Sequence, residues 1–353
     1  MAQTQRALVV TELGKPVVLV HDREIPQPGR NQIQLKVTVA GVNPHDQKAR
    51  DGGLFIANRL PAVLTNDAVG RVTKLGEGVS SDVIAVGDRV VAHPSFIPDG
   101  QPVSALFHGA LQEYIVADLG YFAKIPDSVS DDQAATLPTN AVAPLVGLFD
   151  TLRIPAPWTP DAAAVNKDIT LLIVGGGSNC GRFAVQLAKL AGVGRIVVVG
   201  GNEEELRGFG ATHVLDRHGG SDAVLERIRA VVDDDLVYAF DAVSGAEGQI
   251  MAANALSSTK KGALTRLLPH VVVDKTQVPG KKAGFDVRDT FGASNLYPEV
   301  AVPFWERVPE YLESGEIKPL EFVVREGLLE ENVNAVLDAY RDGKRVVKTH
   351  VHL

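Results

Sequence analysis

The stretch LLIVGGGSNCG at residues 171–181 limits what this chain can become more than any other. A run of branched apolar residues reads as a buried strand, three consecutive glycines break it, and a fourth follows where a helix would make its first turn. A pyrophosphate needs backbone amides at a helix N-terminus and a chain close enough that side chains would obstruct it; glycine meets both needs. The spacing departs from G-x-G-x-x-G, because Ser178 and Asn179 stand where glycine is commoner, so the turn alone does not decide the matter. Its surroundings do more. Strand, turn, helix and second strand occupy about 30 residues, the length a nucleotide-binding βαβ unit requires.

Alternation continues on both sides of that unit. ITLLIVG, RIVVVG, THVLD and LVYAFDAV read as strands; CGRFAVQLAKLAG, EEELRGFG and SDAVLERIRAVV read as helices between them. Such an order implies parallel pairing and right-handed crossovers, a doubly wound α/β sheet. The first 130 residues have another texture. IQLKVTVAGV, AVGRVTKLG, IAVGDRVVAH and ALQEYIVAD alternate polar with apolar between Gly, Pro, Asn and Asp, which predicts an antiparallel barrel. Ser130 is a candidate N-cap for the helix-rich segment DDQAATLPTNAVAPLVGLFDTL, and the proline-containing RIPAPWTPDAAAVNKD reads as an extended surface loop. Helices over PFWERVPEYLESG and EENVNAVLDAYRDG flank a strand FVVREG, and RVVKTHVHL closes the chain as a strand.

Composition narrows the partners. With 353 residues and 45% hydrophobic content the chain can fill about two domains. The formal charge of -8 comes without a basic block, so no nucleic-acid footprint is visible. No apolar run reaches the roughly 18 residues a bilayer span needs, which predicts no membrane partner and a cytoplasmic location. One cysteine, Cys180, excludes a disulfide framework and any zinc site built on two thiolates. Small molecules are the expected partners.

The nucleotide-binding candidates follow from the turns. Gly175, Gly176, Gly177, Ser178, Asn179 and Cys180 form the first; Gly200 and Asn202 end the second strand; Ala242 and Val243 follow the strand ending at Asp241. An acid at the end of the second strand, about 20 residues past the fingerprint, holds a free ribose 2′-hydroxyl and repels a 2′-phosphate. Here the strand ends IVVVGGN with no acid in place, which favours NADPH over NADH, although Glu203 to Glu205 follow directly. Arg217, after the third strand, is the candidate phosphate partner; the alternative is a solvated loop arginine.

These features resemble the medium-chain dehydrogenase/reductase superfamily across essentially the whole chain. The resemblance rests on GVNPHD at 41–46, DAVGRVTKLGEGV at 67–79, VGDRV at 86–90, AATLP at 134–138, GRFAVQLAKLAG at 181–192 and DAVSG at 241–245. It implies a GroES-like antiparallel barrel as catalytic domain, residues 1–145 and 298–353, around a Rossmann domain, residues 146–297. GVNPxD, AATLP and the irregular glycine turn look most like the zinc-free branch of quinone oxidoreductases and fungal trans-acting enoyl reductases. In the zinc-dependent members a cysteine ligand stands where this chain has Asn43 and a histidine where it has Asn66. The resemblance therefore implies no zinc. His93, His108, His350 and His352 are more readily read as solvated or structurally satisfied residues than as ligands of another metal.

Without a Lewis acid, an unactivated carbonyl is a poor hydride acceptor, because nothing holds the developing alkoxide. An alkene conjugated to a carbonyl is easier, since its charge spreads onto an oxygen that hydrogen-bond donors can hold. The resemblance puts His45 at the position of a relay hydroxyl and Lys48 at that of a second relay residue, so either is a candidate to polarise the carbonyl or deliver the α-proton. Asn43 is a candidate amide contact to nicotinamide or substrate. Ala143 and Pro144 stand where related enoyl reductases have a threonine. Phe55, Phe107, Phe291, Tyr297 and Trp305 fall in segments that by the family layout line the cleft; Phe291 is the strongest for cofactor contact, and Lys344 fits the family's Gly-Lys turn. The expected activity is NADPH-dependent, metal-independent reduction of an enone, quinone or enoyl thioester. The alternatives are a nucleotide-binding sensor with little catalysis or a zinc-free carbonyl reductase. A homodimer and a polyketide synthase carrier are the partners the resemblance adds.

Overall fold

The structure is a computed structural model and describes residues 3–96, 109–269 and 272–353; Phe107 and His108 lie outside them. Two compact units divide the chain. Met1–Thr139, Ala293–Gly315 and Pro319–Leu353 form the first; Asn140–Gly292 and Glu316–Lys318 form the second. The divisions fall a few residues before 145/146 and 297/298, for a packing reason. In the second unit Gly147 lies against Phe240 and Gly292 against Ala143, while in the first Ser294 and Asn295 bond to His93 and Phe96.

In chain order the first unit begins with β1 (Thr4–Val10), β2 (Val18–Glu24), β3 (Gln32–Val42), α1 (Pro44–Gly52), β4 (Ala62–Val63), β5 (Asp67–Leu75), β6 (Arg89–Ala92), β7 (Tyr114–Asp118), β8 (Phe122–Lys124) and α2 (Asp131–Ala135). Ser130 caps α2 as expected: its Oγ accepts the Gln133 N–H at 3.1 Å while Gln133 Oε1 accepts the Ser130 N–H at 2.9 Å. After α3 (Pro138–Leu145) and a π-helical turn at Val146–Thr151 the second unit continues with α4 (Ala162–Asn166), β9 (Thr170–Val174), α5 (Asn179–Leu190), β10 (Arg195–Val199), α6 (Glu203–Phe209), β11 (His213–Leu215), α7 (Gly220–Val232), β12 (Tyr238–Asp241), α8 (Ala246–Ala255), β13 (Gly262–Arg266) and β14 (Phe285–Asp289). α9 (Pro298–Ser314), β15 (Phe322–Glu326), α10 (Glu330–Arg341) and β16 (Lys348–His352) belong to the first unit.

The first unit has the expected antiparallel sheet, in the order β15-β16-β3-β5-β6-β8 with β7 also on β3 and only the outer β15 parallel to its neighbour β16, beside a smaller β2-β1-β4 sheet. β3 carries the arrangement: it pairs antiparallel with β5, β7 and β16, and its Ile33, Leu35 and Val37 enter a core shared with Val72, Val90, Ile115 and Val351. The final strand is thus stitched to one of the first.

In the second unit six parallel strands run β11-β10-β9-β12-β13-β14. The order reverses beside β9, and the carboxyl ends of strands flanking such a reversal form a ligand crevice in open α/β sheets. Leu171, Leu172 and Ile173 are fully buried, which is why β9 reads as a continuous apolar run rather than an alternation. The segment 153–168 corrects the sequence reading. α4 lies within it, and buried Asn166 donates to the carbonyls of Pro155 and Ala191, tying down what the prolines made look like a surface loop. Among the described residues no helix is long and apolar enough to cross a membrane.

Candidate active site

At the carboxyl end of β9 the chain turns through Gly175 at φ +90°, where an added Cβ would sit 2.5 Å from Val243 Cγ2. A Cβ on Gly181 would meet the Gly175 carbonyl at 2.2 Å, so only glycine lets α5 start this close to the turn. Ser178 joins the two: its Oγ accepts the Gly181 N–H at 3.0 Å and donates to the Gly175 carbonyl at 2.8 Å. Gly176, Gly177, Asn179 and Cys180 complete the turn and the first residues of α5.

Neighbouring strand ends add the remaining candidates. Gly200 follows β10, and the Arg217 side chain lies over it, its Cδ 3.2 Å from where a Cβ would stand. Arg217 is exposed and its guanidinium has no partner among the described residues. Asn202 caps α6 through the Glu205 N–H at 2.9 Å. Two of the three acids behind it are engaged: Glu203 with Arg207 at 2.8 Å, Glu205 with Arg182 at 3.0 Å. The Ala242 N–H donates to Val174 O, and Asp241 Oδ1 accepts the N–H groups of Val243 and Ser244, which fixes that turn. Burial pushes the Asp241 carboxyl above its ordinary value despite those two donors, and its Oδ2 has no partner among the described residues. Phe291 follows outer strand β14 and is half-buried. Lys344 belongs to the first unit, exposed after α10 and 3.3 Å from Asp342.

The first unit gathers His45 and Asn43 with partners that sequence reasoning missed. Asn43 is buried and its amide is fully engaged: it donates to Asp67 Oδ2 at 2.8 Å and to Gly41 O at 3.2 Å, and its Oδ1 accepts from Lys348 Nζ at 2.8 Å. Lys348 also donates to Asp67, and both side chains are sealed from solvent. Burial alone would raise the Asp67 carboxyl; Lys348, aided by the Asn43 amide and Thr139, holds it below the usual carboxylate range. Asn43 therefore has no amide hydrogen left for a ligand, and its part is positional. The one signal in the sequence was a lysine on an inward register of the terminal strand.

His45 stands at the start of α1, its Nε2 3.3 Å from Asp46 Oδ1. Burial alone would lower its pKa, but Asp46, with a smaller push from Asp67, holds it above the ordinary histidine value. Asp46 is itself held by the N–H groups of Asn43 and Thr65, at 2.8 and 2.9 Å. His93 lies deeper, with Nδ1 2.9 Å from Ser294 Oγ, which also accepts from Trp305 Nε1 at 3.0 Å; burial lowers its pKa to about 4. Trp305 is thus a core residue. His350 and His352 both bond to Asp132, at 2.9 and 3.0 Å.

A cavity of about 100 Å³ opens beside His45, walled by Leu54, Phe55, Leu64, Thr65, Asn66 and Phe96 among others. Lys48 does not line it; its side chain is exposed further along α1. Thr65 adopts φ +66°, rare for a β-branched residue and worth roughly 1–3 kcal/mol of strain. Its bonds to Asp46, Gly41 and Ala110 fix it there. Where the resemblance puts zinc ligands, Asn43 Oδ1 accepts from Lys348 Nζ, which also donates to Asp67 Oδ2, and the Asn66 amide donates to Pro94 O at 3.5 Å. Among the described residues no three His, Cys, Asp or Glu side chains are grouped to hold a metal.

An antiparallel barrel carrying a positioned histidine, joined in one chain to a doubly wound parallel sheet with a glycine turn, defines a class of two-domain oxidoreductases. Two family models match: "Alcohol dehydrogenase GroES-like domain" over residues 29–127 and "Zinc-binding dehydrogenase" over 180–267. The trans-enoyl reductase tazE of Aspergillus terreus is 32% identical, over 79% of this chain and 92% of that one. The trans-enoyl reductase tndF of Aspergillus flavipes is 31% identical over all of both chains. A mycobacterial protein, Rv1454c, solved in complex with NADPH, has the same fold, with a TM-score of 0.73, 23% identity and coverage of 99% of this chain and 100% of that one. The chain belongs to the medium-chain dehydrogenase/reductase superfamily and is an oxidoreductase.

Proposed function

We propose that this chain is an NADPH-dependent, metal-independent reductase of a carbon–carbon double bond conjugated to a carbonyl, in an enone, quinone or enoyl thioester. One observation carries the reading: at Asn43, where the zinc-dependent members have a cysteine ligand, the side-chain oxygen accepts from Lys348 Nζ, while His45 lines a cavity alongside. The similarity to fungal trans-enoyl reductases supports the substrate class.

The glycine turn, whose atoms leave no room for a Cβ at Gly175 or Gly181, suits a pyrophosphate at the start of α5. The Arg217 guanidinium beside Gly200, without a partner among the described residues, suits a 2′-phosphate. When bound, reduced nicotinamide supplies the hydride to the β-carbon. The protein's own residues manage the charge that results. In this reading the carbonyl oxygen takes a hydrogen bond from His45, whose pKa Asp46 holds above the ordinary histidine value, and the α-carbon is protonated by the same group. Lys48 is the alternative donor. Asn43, fixed by Lys348 and Asp67, holds the start of α1 and with it His45.

The remaining parts of the proposal concern context. A cytosolic enzyme acting on a chain carried by a polyketide synthase fits the relatives, and the outer strand β14, paired only with β13 among the described residues, suits a homodimer edge. The test follows NADPH absorbance with 3-penten-2-one, benzoquinone and crotonyl thioesters, with and without a chelator. Turnover of at least one, unaffected by the chelator and falling at least 100-fold in His45→Ala but not in Lys48→Ala, is expected. NADPH binding without turnover of any would overturn the reading.

A further inference from the structure

Six non-glycine residues among those described adopt a positive φ, and the two for which this is sterically hardest, the aromatic Phe55 and the β-branched Thr65, line the same cavity. Strained backbone persists only where its surroundings over-determine it, and it gathers at ligand sites. Thr65 is fixed by its hydrogen bonds. Phe55, at φ +65°, is held differently. Its ring stands edge-on to Phe96, with centroids 5.2 Å apart and planes at 79°. Phe96 is in turn clamped at its backbone by one side chain: its N–H donates to Asn295 Oδ1 at 2.8 Å and its carbonyl accepts from Asn295 Nδ2 at 2.7 Å. Phe55 remains 40% exposed, so burial does not account for a conformation a glycine would adopt freely. What the conformation does achieve is a pair of fixed aromatic edges in the wall of a cavity that also presents His45 and Asn66.

We propose that Phe55 is a specificity-determining residue: its strained backbone holds the ring against Phe96 so that the cavity takes a slender, unbranched carbon chain beside His45 and turns away a bulky one. The inference rests on the reading of this site as an alkene reductase. It predicts that a linear substituent on the β-carbon is preferred and an aryl substituent penalised, and that the penalty lies in Phe55 rather than in the donors.

The experiment compares 3-penten-2-one with 4-phenyl-3-buten-2-one for the full-length wild type, Phe55→Gly and Phe96→Leu, by kcat/KM from NADPH oxidation and by saturation-transfer NMR titration of each ketone. Glycine releases the left-handed strain, so Phe55→Gly should melt no lower than wild type. Its preference for the linear over the aryl ketone should fall at least 10-fold, mostly through KM for the aryl ketone. Phe96→Leu, which leaves residue 55 untouched, should move the ratio the same way by a smaller factor and serves if Phe55→Gly fails to fold. An unchanged ratio in a folded variant overturns the inference. If the wild type oxidises NADPH with neither ketone, the quinone and thioester assays decide the alkene-reductase reading, and the titrations still decide this one: an affinity ratio that moves with Phe55 upholds the size filter, and one that does not ends it.

Discussion

The two candidate sites are built by opposite means. At the glycine turn of the second unit the chain makes room by omitting side chains and offers backbone N–H groups; its residues from Gly175 to Gly181 are neighbours in sequence. In the first unit the chain fills its interior with charge. Lys348 reaches Asp67 across 281 residues and Asn43 across 305. A site made of absences tolerates graded change, whereas one made of buried charges depends on every partner being present.

Removing Lys348 is the severest test of that contrast. Lys348→Met leaves the Asp67 carboxylate sealed and unpaired, and should cost about 3–5 kcal/mol in denaturant unfolding, with Asp67→Asn added on top recovering much of the loss. A loss below about 1 kcal/mol would erase the difference between the sites. Acid comes next. His93 is held at a pKa of about 4 against 6.5, so protonating it costs the folded state, and at about 1.4 kcal/mol per unit its neutral form is worth roughly 3 kcal/mol. That contribution is complete above pH 6.5 and drains away as pH falls toward 4. Unfolding midpoints at pH 8 and 4.5 should therefore differ less in His93→Gln than in wild type.

In the second unit the effects should be local and smaller. Arg217→Ala should weaken NADPH binding about 10-fold to 100-fold by calorimetry while leaving NADH affinity unchanged, the loss of one or two charge-assisted hydrogen bonds. Equal loss for both nucleotides would move the phosphate contact elsewhere. Ser178→Ala removes a helix cap, should cost about 1 kcal/mol of stability, and should weaken either nucleotide only a few-fold.

The same contrast explains what could be read before the fold was known. The alternation around LLIVGGG located β9, α5, β10, α6, β11, α7 and β12, because each is encoded by a local period and a local break. α8 and β13 escaped notice, since the alanines of AEGQIMAANA draw no apolar stripe and GALTR is short and buried throughout. His45 stood out because the family resemblance puts it at the place of a relay hydroxyl, but its environment did not. Asp46, Asp67, Thr65 and Lys348 acquire meaning only when β16 lies along β3, and no local pattern announces that pairing. Phe96 and Asn295, 199 residues apart, met for the same reason.

The placement of Lys348 on the closing strand also sets a timetable for biosynthesis. While a ribosome is still making the second unit, the nascent barrel already contains Asp67 and Asn43 but has no counter-charge to seal in with them. The barrel can thus be finished only after residue 348 has been made, and any product halted before it would expose to chaperones and proteases the very carboxylate around which the site is later assembled.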